Sequence, residues 1–304
     1  MISAIIPTYN RLEKLKKTLQ SGERQSLAKN KFEVIVVDDG GTDGTGAFME
    51  EFIKTSRLDL KYFYLPHRGP ERARNFGAEK AAGDIIFFCG DDTWWEENLL
   101  AIHDHHHRQT ADTALLGLAL WDESRLISEF MRYLAPAGPQ FHYNTIKNAN
   151  DAGFSHFYTC NISLAKKWLE REKFDESLNY AFEDIELGLR LERRGLRVIF
   201  NPAAKVYHWH YYDQAGFSQR MERVGRGAII FFDKYKNQRN TLNLLKRKYA
   251  PFAYFPGVKI FNRLSGRLAA SELLKKINLK YHWFWLICYD YSRGMLNQLQ
   301  EKHV

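Results

Sequence analysis

The sequence predicts an α/β fold, a mostly parallel sheet with helices on both faces, followed by a basic helical C-terminal region. Three observations carry that expectation. Apolar runs alternate with amphipathic stretches in the order β-α-β-α-β-α-β from Ser3 to Cys89. Those runs are continuously apolar, as strands buried on both faces must be. The charge is also unevenly placed: residues 214–304 hold 17 Lys and Arg against 5 Asp and Glu, a net of +12, which leaves −4 for residues 1–213.

Ser3 to Pro7 (SAIIP) and Phe32 to Val37 (FEVIVV) read as buried strands ending in polar turns. Between them, Leu12, Leu15 and Leu19 recur at helical spacing within residues 11–25. A second helix is expected over 45–56, a strand over Lys61 to Leu65, a third helix over 71–82 and a fourth strand over Asp84 to Cys89. Downstream, TALLGLAL at 113–120 reads as a strand and 122–157 as an irregular stretch with Pro136, Gly138, Pro139 and Gly153. FYTCNISL, helices at 164–172 and 183–194, and a strand from Arg197 to Asn201 then lead into KVYHWHYY. Beyond about residue 213 the chain reads as helical, basic and aromatic, interrupted at Pro251 and Pro256.

With 304 residues, 45% hydrophobic and 14% aromatic, the chain can bury a large core. Its three cysteines, Cys89, Cys160 and Cys288, are odd in number and lack a metal-ligand spacing, which fits a reducing compartment. The apolar run of MISAIIPTYNR is too short for a secretory segment. The run from Trp283 to Tyr289 falls far short of the roughly 20 residues that span a bilayer. The expectation is a cytoplasmic protein, peripheral at the inner face of the membrane if its tail meets lipid.

Ligands of parallel sheets bind beyond the carboxyl ends of the strands. Here those ends carry Pro7-Thr8-Tyr9-Asn10, Asp38-Asp39-Gly40-Gly41 and Gly90-Asp91-Asp92. Asp38 and Asp39 suit hydrogen bonds to a nucleotide, and equally suit a turn. Asp91 and Asp92 repel each other at the mouth of an apolar strand; a divalent cation bridging two phosphates would relieve that, with a solvated acidic turn as the alternative.

Four ordered segments, IIPTYNR (5–11), VVDDGGTDGT (36–45), GPERARNFGAEKAAGDIIFFCGDDT (69–93) and FEDIELGLRL (182–191), resemble the family 2 glycosyltransferases of the GT-A fold over roughly residues 1–210. The resemblance implies a catalytic domain over 1–213, with a nucleotide-binding half at 1–93 and an acceptor half at 94–213, and leaves 214–304 as a C-terminal region. It implies Pro7, Tyr9 and Asp39 around the base and ribose, and Asp91 and Asp92 as the acidic motif for Mn²⁺ or Mg²⁺, with Asp92 the direct ligand. Gly90 stands where the family often has a third acid. Asp184 of the Glu183-Asp184 pair is implied as the catalytic base; acids in a first helical turn also serve the helix itself. His208, which alternation places on one face with His210, is implied at the metal. Arg74 is assigned to the donor phosphates, although it and Arg72 suit a helix surface equally, and Asn161 to the sugar pocket.

The implied reaction is an inverting transfer of a hexose from a nucleotide-diphosphate sugar to a sugar, lipid-linked or protein-linked hydroxyl, in polysaccharide, glycolipid or glycoprotein glycan synthesis. A nucleotidyltransferase and an inactive nucleotide-sugar-binding protein are the alternatives. The former should carry a Gly-rich phosphate loop after the first strand, where this chain has PTYNR. The run HDHHH at 103–107 reads as a solvated helix face. In the tail, KRKY (246–249), Lys259, Arg263, Arg267, Lys275 and Lys276 stand among Phe252, Tyr254, Phe255, Phe261 and WFW. That mixture suits an anionic membrane surface or a lipid-linked acceptor, or a bundle packing its own aromatics; nucleic acid is not expected.

Overall fold

The computed structural model describes residues 1–110, 112–178, 181–238 and 257–301. KRKY, Pro251, Phe252, Tyr254, Phe255 and Pro256 lie outside the described residues. The chain divides into two compact units. One comprises Met1–Ser128, Leu134–Glu176 and Glu183–Tyr211, the other Glu129–Tyr133, Ser177–Phe182 and Tyr212–Val304. Where the sequence places a boundary at 213, the contacts divide after Tyr211, and two short upstream segments belong with the C-terminal unit.

The first unit is built on β1 (Ile2–Thr8), β2 (Phe32–Asp38), β3 (Leu60–Tyr64), β4 (Ile85–Cys89), β5 (Thr93–Trp95), β6 (Thr113–Trp121), β7 (Asn161–Ala165) and β8 (Arg197–His208). These form one sheet in the order β3-β2-β1-β4-β7-β6-β8-β5. β1 and β2 are buried at every position, which accounts for their unbroken apolar character. The β1–β4 half is parallel, but β7 runs antiparallel to both β4 and β6, and β5 antiparallel to β8. Between the strands run α1 (Leu12–Glu23), α2 (Thr45–Thr55), α3 (Pro70–Lys80), α4 (Leu99–Gln109), α5 (Glu129–Leu134), α6 (Lys166–Arg171) and α7 (Glu183–Arg193). Of these, α5 belongs almost entirely to the second unit. The face of α1 carrying Leu15 and Leu19 is buried, as the spacing predicts.

β5 escapes the sequence reading because three residues give no periodicity, yet it sets the site. Its register pairs Thr93 with His208, and Trp209 N–H donates to the Asp92 carbonyl at 2.6 Å. Between β6 and β8 the register jumps: Gly117 faces Asn201 while Leu118 faces Lys205. The Asn161 amide fills that irregularity, donating to the carbonyls of Ala204 at 3.0 Å and Leu118 at 3.3 Å. Any side chain at 117 would collide with it, so glycine is required there.

HDHHH is not a solvated face. Leu99, Leu100, His103 and His107 form the inner side of α4, and both histidines are buried. His103 Nδ1 and His107 Nε2 lie 2.6 and 2.7 Å from Ser163 Oγ, and His103 Nε2 lies 3.2 Å from Asn161 Oδ1. A polar partner buried in β7 thus lets histidine occupy core positions.

In the second unit, α8 (Gln214–Lys234) crosses α11 (Leu279–Glu301) at glycines: a Cβ at Gly225 would meet the Tyr291 carbonyl, and one at Gly294 the Glu222 carbonyl. Trp283 packs edge-on against Phe130 at 5.3 Å. The remaining described helices are α9 (Gly257–Ala269) and α10 (Glu272–Ile277).

Burial lowers the imidazolium pKa of His103 to about 3 and of His107 to about 4, from an ordinary value of 6.5. The unfolded chain therefore binds protons that the folded chain refuses, and stability falls as pH drops from about 6.5 toward about 4. The combined loss is on the order of several kcal/mol. Thermal unfolding followed from about pH 7.5 to about pH 4 should show it, and His107→Gln should shrink the decline. An equal decline in that variant would contradict the assignment.

Candidate active site

The carboxyl ends of β1, β2 and β4 converge as the sequence predicts, and each polar cluster has a distinct state. Asp38 is buried and spent on structure: its Oδ1 accepts from Gly41 N–H at 2.7 Å and its Oδ2 from the Tyr62 hydroxyl at 2.9 Å. Asp39, also buried, accepts from the backbone N–H groups of Arg68 at 2.9 Å and Gly69 at 2.8 Å and lies 2.8 Å from His67 Nδ1. That fastens the 67–69 loop under the site. Tyr9 is exposed and its ring stacks on His67 at 4.1 Å, presenting aromatic surface at the mouth. Pro7 does not line the site: it is buried within β1, opposite Val37.

Asp91 and Asp92 are buried, and the chain surrounds them with donors and positive charge. The Thr8 hydroxyl donates to Asp91 Oδ2 at 2.9 Å, and Arg11 Nη1 reaches Asp91 Oδ1 at 3.1 Å and Asp92 Oδ2 at 3.2 Å. Lys14 Nζ lies 4.0 Å from Asp92 Oδ2. His208 Nε2 is 3.4 Å from Asp92 Oδ1, and His210 Nδ1 is 3.4 Å from Asp92 Oδ2. Burial and the neighbouring Asp92 push the Asp91 carboxyl up to about 6. For Asp92 burial pushes upward too, but His208, His210, Arg11 and Lys14 outweigh it and hold the carboxyl well below the usual range. Sequence reasoning named the acids and His208 but missed Arg11 and Lys14, whose positions at the opening of α1 were legible only once that helix was seen against Asp92.

Asp92, His208 and His210 bring carboxylate and imidazole donors together, each imidazole 3.4 Å from an Asp92 oxygen. Among the described residues, however, no three His, Cys, Asp or Glu side chains form a ready-made metal cage. An ion held here would need further ligands from outside the protein.

Asp184 stands in the first turn of α7, with Oδ1 accepting from Ile185 N–H at 2.8 Å. Burial, then the neighbouring Glu183, raises its carboxyl to about 7, against the opposing pull of Arg74. The preceding Phe182 has φ of 73°, a left-handed conformation that costs a bulky residue energy. Arg74 approaches Glu183 at 3.6 Å, and among the described residues its Nε and Nη1 have no hydrogen-bond partner. Its side chain is mostly buried, so it is not a helix-surface residue. Glu71 is a further buried acid missed by sequence reasoning; burial and Glu183 raise it to about 7. Glu186 is fully buried and ion-paired to Arg190 at 2.8 Å, which withdraws it from proton transfer.

Burial raises the Cys160 thiol to about 12, and the next two contributors are Asp184 and Asp92. Asp184 and Asp92 thus each act electrostatically on that thiol. Asn161 does not join them. It has no exposed surface and its amide is consumed by His103, Leu118 and Ala204, so its expected place in the sugar pocket is corrected to a clamp within the sheet.

Residues 3–165 match the family described as Glycosyl transferase family 2. The chain is 30% identical over 226 residues to validoxylamine A glucosyltransferase of Streptomyces hygroscopicus subsp. jinggangensis, covering 64% of this chain and 52% of that protein. It is 28% identical over 288 residues to the uncharacterized glycosyltransferase YfnE of Bacillus subtilis, covering 78% and 71%. The chain spans about half the length of the first of these relatives. Among solved structures it resembles the mannosyltransferase PcManGT from Pyrobaculum calidifontis, in complex with GDP-Man and Mn²⁺, with a TM-score of 0.64, 17% identity and coverage of 99% and 87%. It also resembles S. aureus TarS 1-349 in complex with UDP, with a TM-score of 0.56, 19% identity and coverage of 99% and 91%. At these identities the likeness is one of fold.

Replacing Arg11 with Gln leaves two buried carboxylates facing each other without their bridging cation. Because Arg11 itself is half-exposed, the expected loss is about 2 kcal/mol rather than the full cost of a broken buried pair. Urea unfolding at neutral pH would measure it, with Arg11→Lys expected to recover part. Unchanged stability in Arg11→Gln would show that other groups hold the pair.

Proposed function

The chain belongs to glycosyl transferase family 2, and on that premise we propose that it transfers a hexose from a nucleotide-diphosphate sugar to a sugar, lipid-linked or protein-linked hydroxyl, with inversion at the anomeric carbon. The observation that supports this reading is a pair of acids in contrasting settings: Asp92, ringed by Arg11, Lys14, His208 and His210, and Asp184, in the first turn of α7 with its carboxyl raised to about 7. Asp184 is suited to take a proton from the acceptor, and Asp92 to serve the leaving diphosphate.

The donor's base would rest against the exposed ring of Tyr9, above the loop that Asp39 fastens. Arg74, mostly buried and with Nε and Nη1 lacking a hydrogen-bond partner among the described residues, would donate to a phosphate oxygen. Asp92 with His208, and Asp91 behind them, would hold Mn²⁺ or Mg²⁺. Bound there, the ion supplies positive charge to the leaving diphosphate. Asp184 would receive the proton of the acceptor hydroxyl as the new C–O bond forms, and a carboxyl raised to about 7 is matched to that task near neutral pH. Direct attack assisted by one base inverts the carbon. The basic C-terminal region, 214–304, would meet an anionic membrane surface, which suits a lipid-linked acceptor.

The test begins with a panel of nucleotide sugars in the presence of Mn²⁺, scored by nucleotide release. Against the active donor, Asp184→Asn should lower turnover by about 10²–10⁴-fold while leaving donor affinity nearly intact. Because the base must be ionised, turnover should fall as pH drops below about 7, and Glu183→Gln, which removes a like charge, should move that limb to lower pH. Near-normal turnover in Asp184→Asn, or a product retaining the donor's anomeric configuration, would overturn the mechanism.

A further inference from the structure

The described C-terminal helices expose an apolar stripe that a folded interior would normally claim. On α9, three successive turns each set a cation beside an aliphatic side chain: Lys259 with Ile260, Arg263 with Leu264, and Arg267 with Leu268. Ile260 is 59% exposed and Leu264 51%. The pattern continues on α10, where Leu273 is 69% and Ile277 72% exposed beside Lys275 and Lys276. Scattered exposed apolar residues need no explanation, but a run at i, i+4 and i+8 with a parallel run of cations is a patterned surface. Across residues 257–281 there are six cations and a single acid, Glu272.

Two kinds of partner take such a stripe. A protein interface is ordinarily depleted in lysine and rimmed by charges of both signs. Here the charge beside the stripe is almost wholly positive, which complements phosphate headgroups while the aliphatic tips enter the acyl boundary. Tyr281 and Phe284 at the start of α11 are also exposed, and aromatic residues favour that interface. Among the described residues no helix is long and apolar enough to cross a membrane, and a helix docking through such a stripe lies along the surface.

We propose that α9 and α10 form the membrane-docking face of this protein, with Ile260, Leu264, Leu273 and Ile277 inserting and Lys259, Arg263, Arg267, Lys275 and Lys276 engaging an anionic leaflet. The proposal rests on the membrane reading of residues 214–304 and narrows it to one surface. It makes membrane binding and sugar transfer separable, because none of these residues belongs to the site around Asp92 and Asp184.

The experiment is vesicle flotation of the full chain with phosphatidylcholine alone and with phosphatidylcholine mixed with phosphatidylglycerol. The wild-type protein should bind the anionic vesicles about tenfold or more tightly than the neutral ones, and raised salt should weaken that binding. Ile260→Ser with Leu264→Ser should lose about tenfold or more through the apolar contribution, and Arg263→Gln with Arg267→Gln should lose most of the anionic preference. Circular dichroism and nucleotide affinity confirm that the variants are folded, and Leu126→Ser, another exposed apolar side chain, should bind as wild type. If wild type ignores anionic vesicles, the membrane reading of the whole region falls. If wild type binds and the α9 variants bind equally well, that reading stands and this face is wrong. Self-association abolished by Ile260→Ser with Leu264→Ser, without vesicle binding, would assign the stripe to a second copy of the chain and overturn the proposal.

Discussion

Two adjacent carboxylates buried at the end of a strand are the constraint around which the first unit is arranged. Asp91 and Asp92 cannot both stay ionised out of water unless cations or hydrogen-bond donors surround them. The fold answers with groups from three separate parts of the chain. Thr8 ends β1, Arg11 and Lys14 come from the opening of α1, and His208 and His210 are delivered by the end of β8. The two acids then divide their roles. Asp92, ringed by His208, His210, Arg11 and Lys14, is held ionised, while Asp91, buried beside it, is pushed toward the neutral form.

Delivery of those groups depends on strand register more than on any single contact. The β5–β8 pairing places His208 opposite Thr93, one residue past Asp92, so a slip of one residue would turn the imidazole to the other face of the sheet. The β6–β8 irregularity that allows this register leaves carbonyls to be satisfied, and the Asn161 amide does so against the bare backbone of Gly117. Asn161 is in turn held by His103, which shares Ser163 with His107. A buried polar chain from α4 through β7 thus fixes the strand that carries His208.

Much of this was legible in the sequence where period and strand ends carry the information. The continuous apolar runs of β1, β2 and β4 announced buried parallel strands, and the acids after them announced the site edge. The features that stayed hidden did so for physical reasons. β5 is too short for a pattern, and its partner β8 lies more than a hundred residues away. HDHHH looks like surface because histidine is polar, and only Ser163 and Asn161 make it a core element. Asn161 and Pro7 sit in the right segments for a donor pocket but face inward, and segment position does not encode facing. Arg11 and Lys14 lie far in sequence from the acids they neutralise, so composition gave no sign of the pairing.

The role we propose for Asp92, ringed by Arg11, Lys14, His208 and His210, is to hold the metal that meets the donor's diphosphate. Calorimetric titration of the protein with UDP and with GDP, with Mn²⁺ and with EDTA, addresses that directly. At least one of the two should bind in Mn²⁺ and lose about tenfold or more in affinity in EDTA, as expected when a divalent charge is withdrawn from two phosphates. Asp92→Asn should abolish the difference. Equal affinity with and without Mn²⁺ in the wild-type protein would contradict that role and leave Arg11 and Lys14 as the charges meeting the diphosphate.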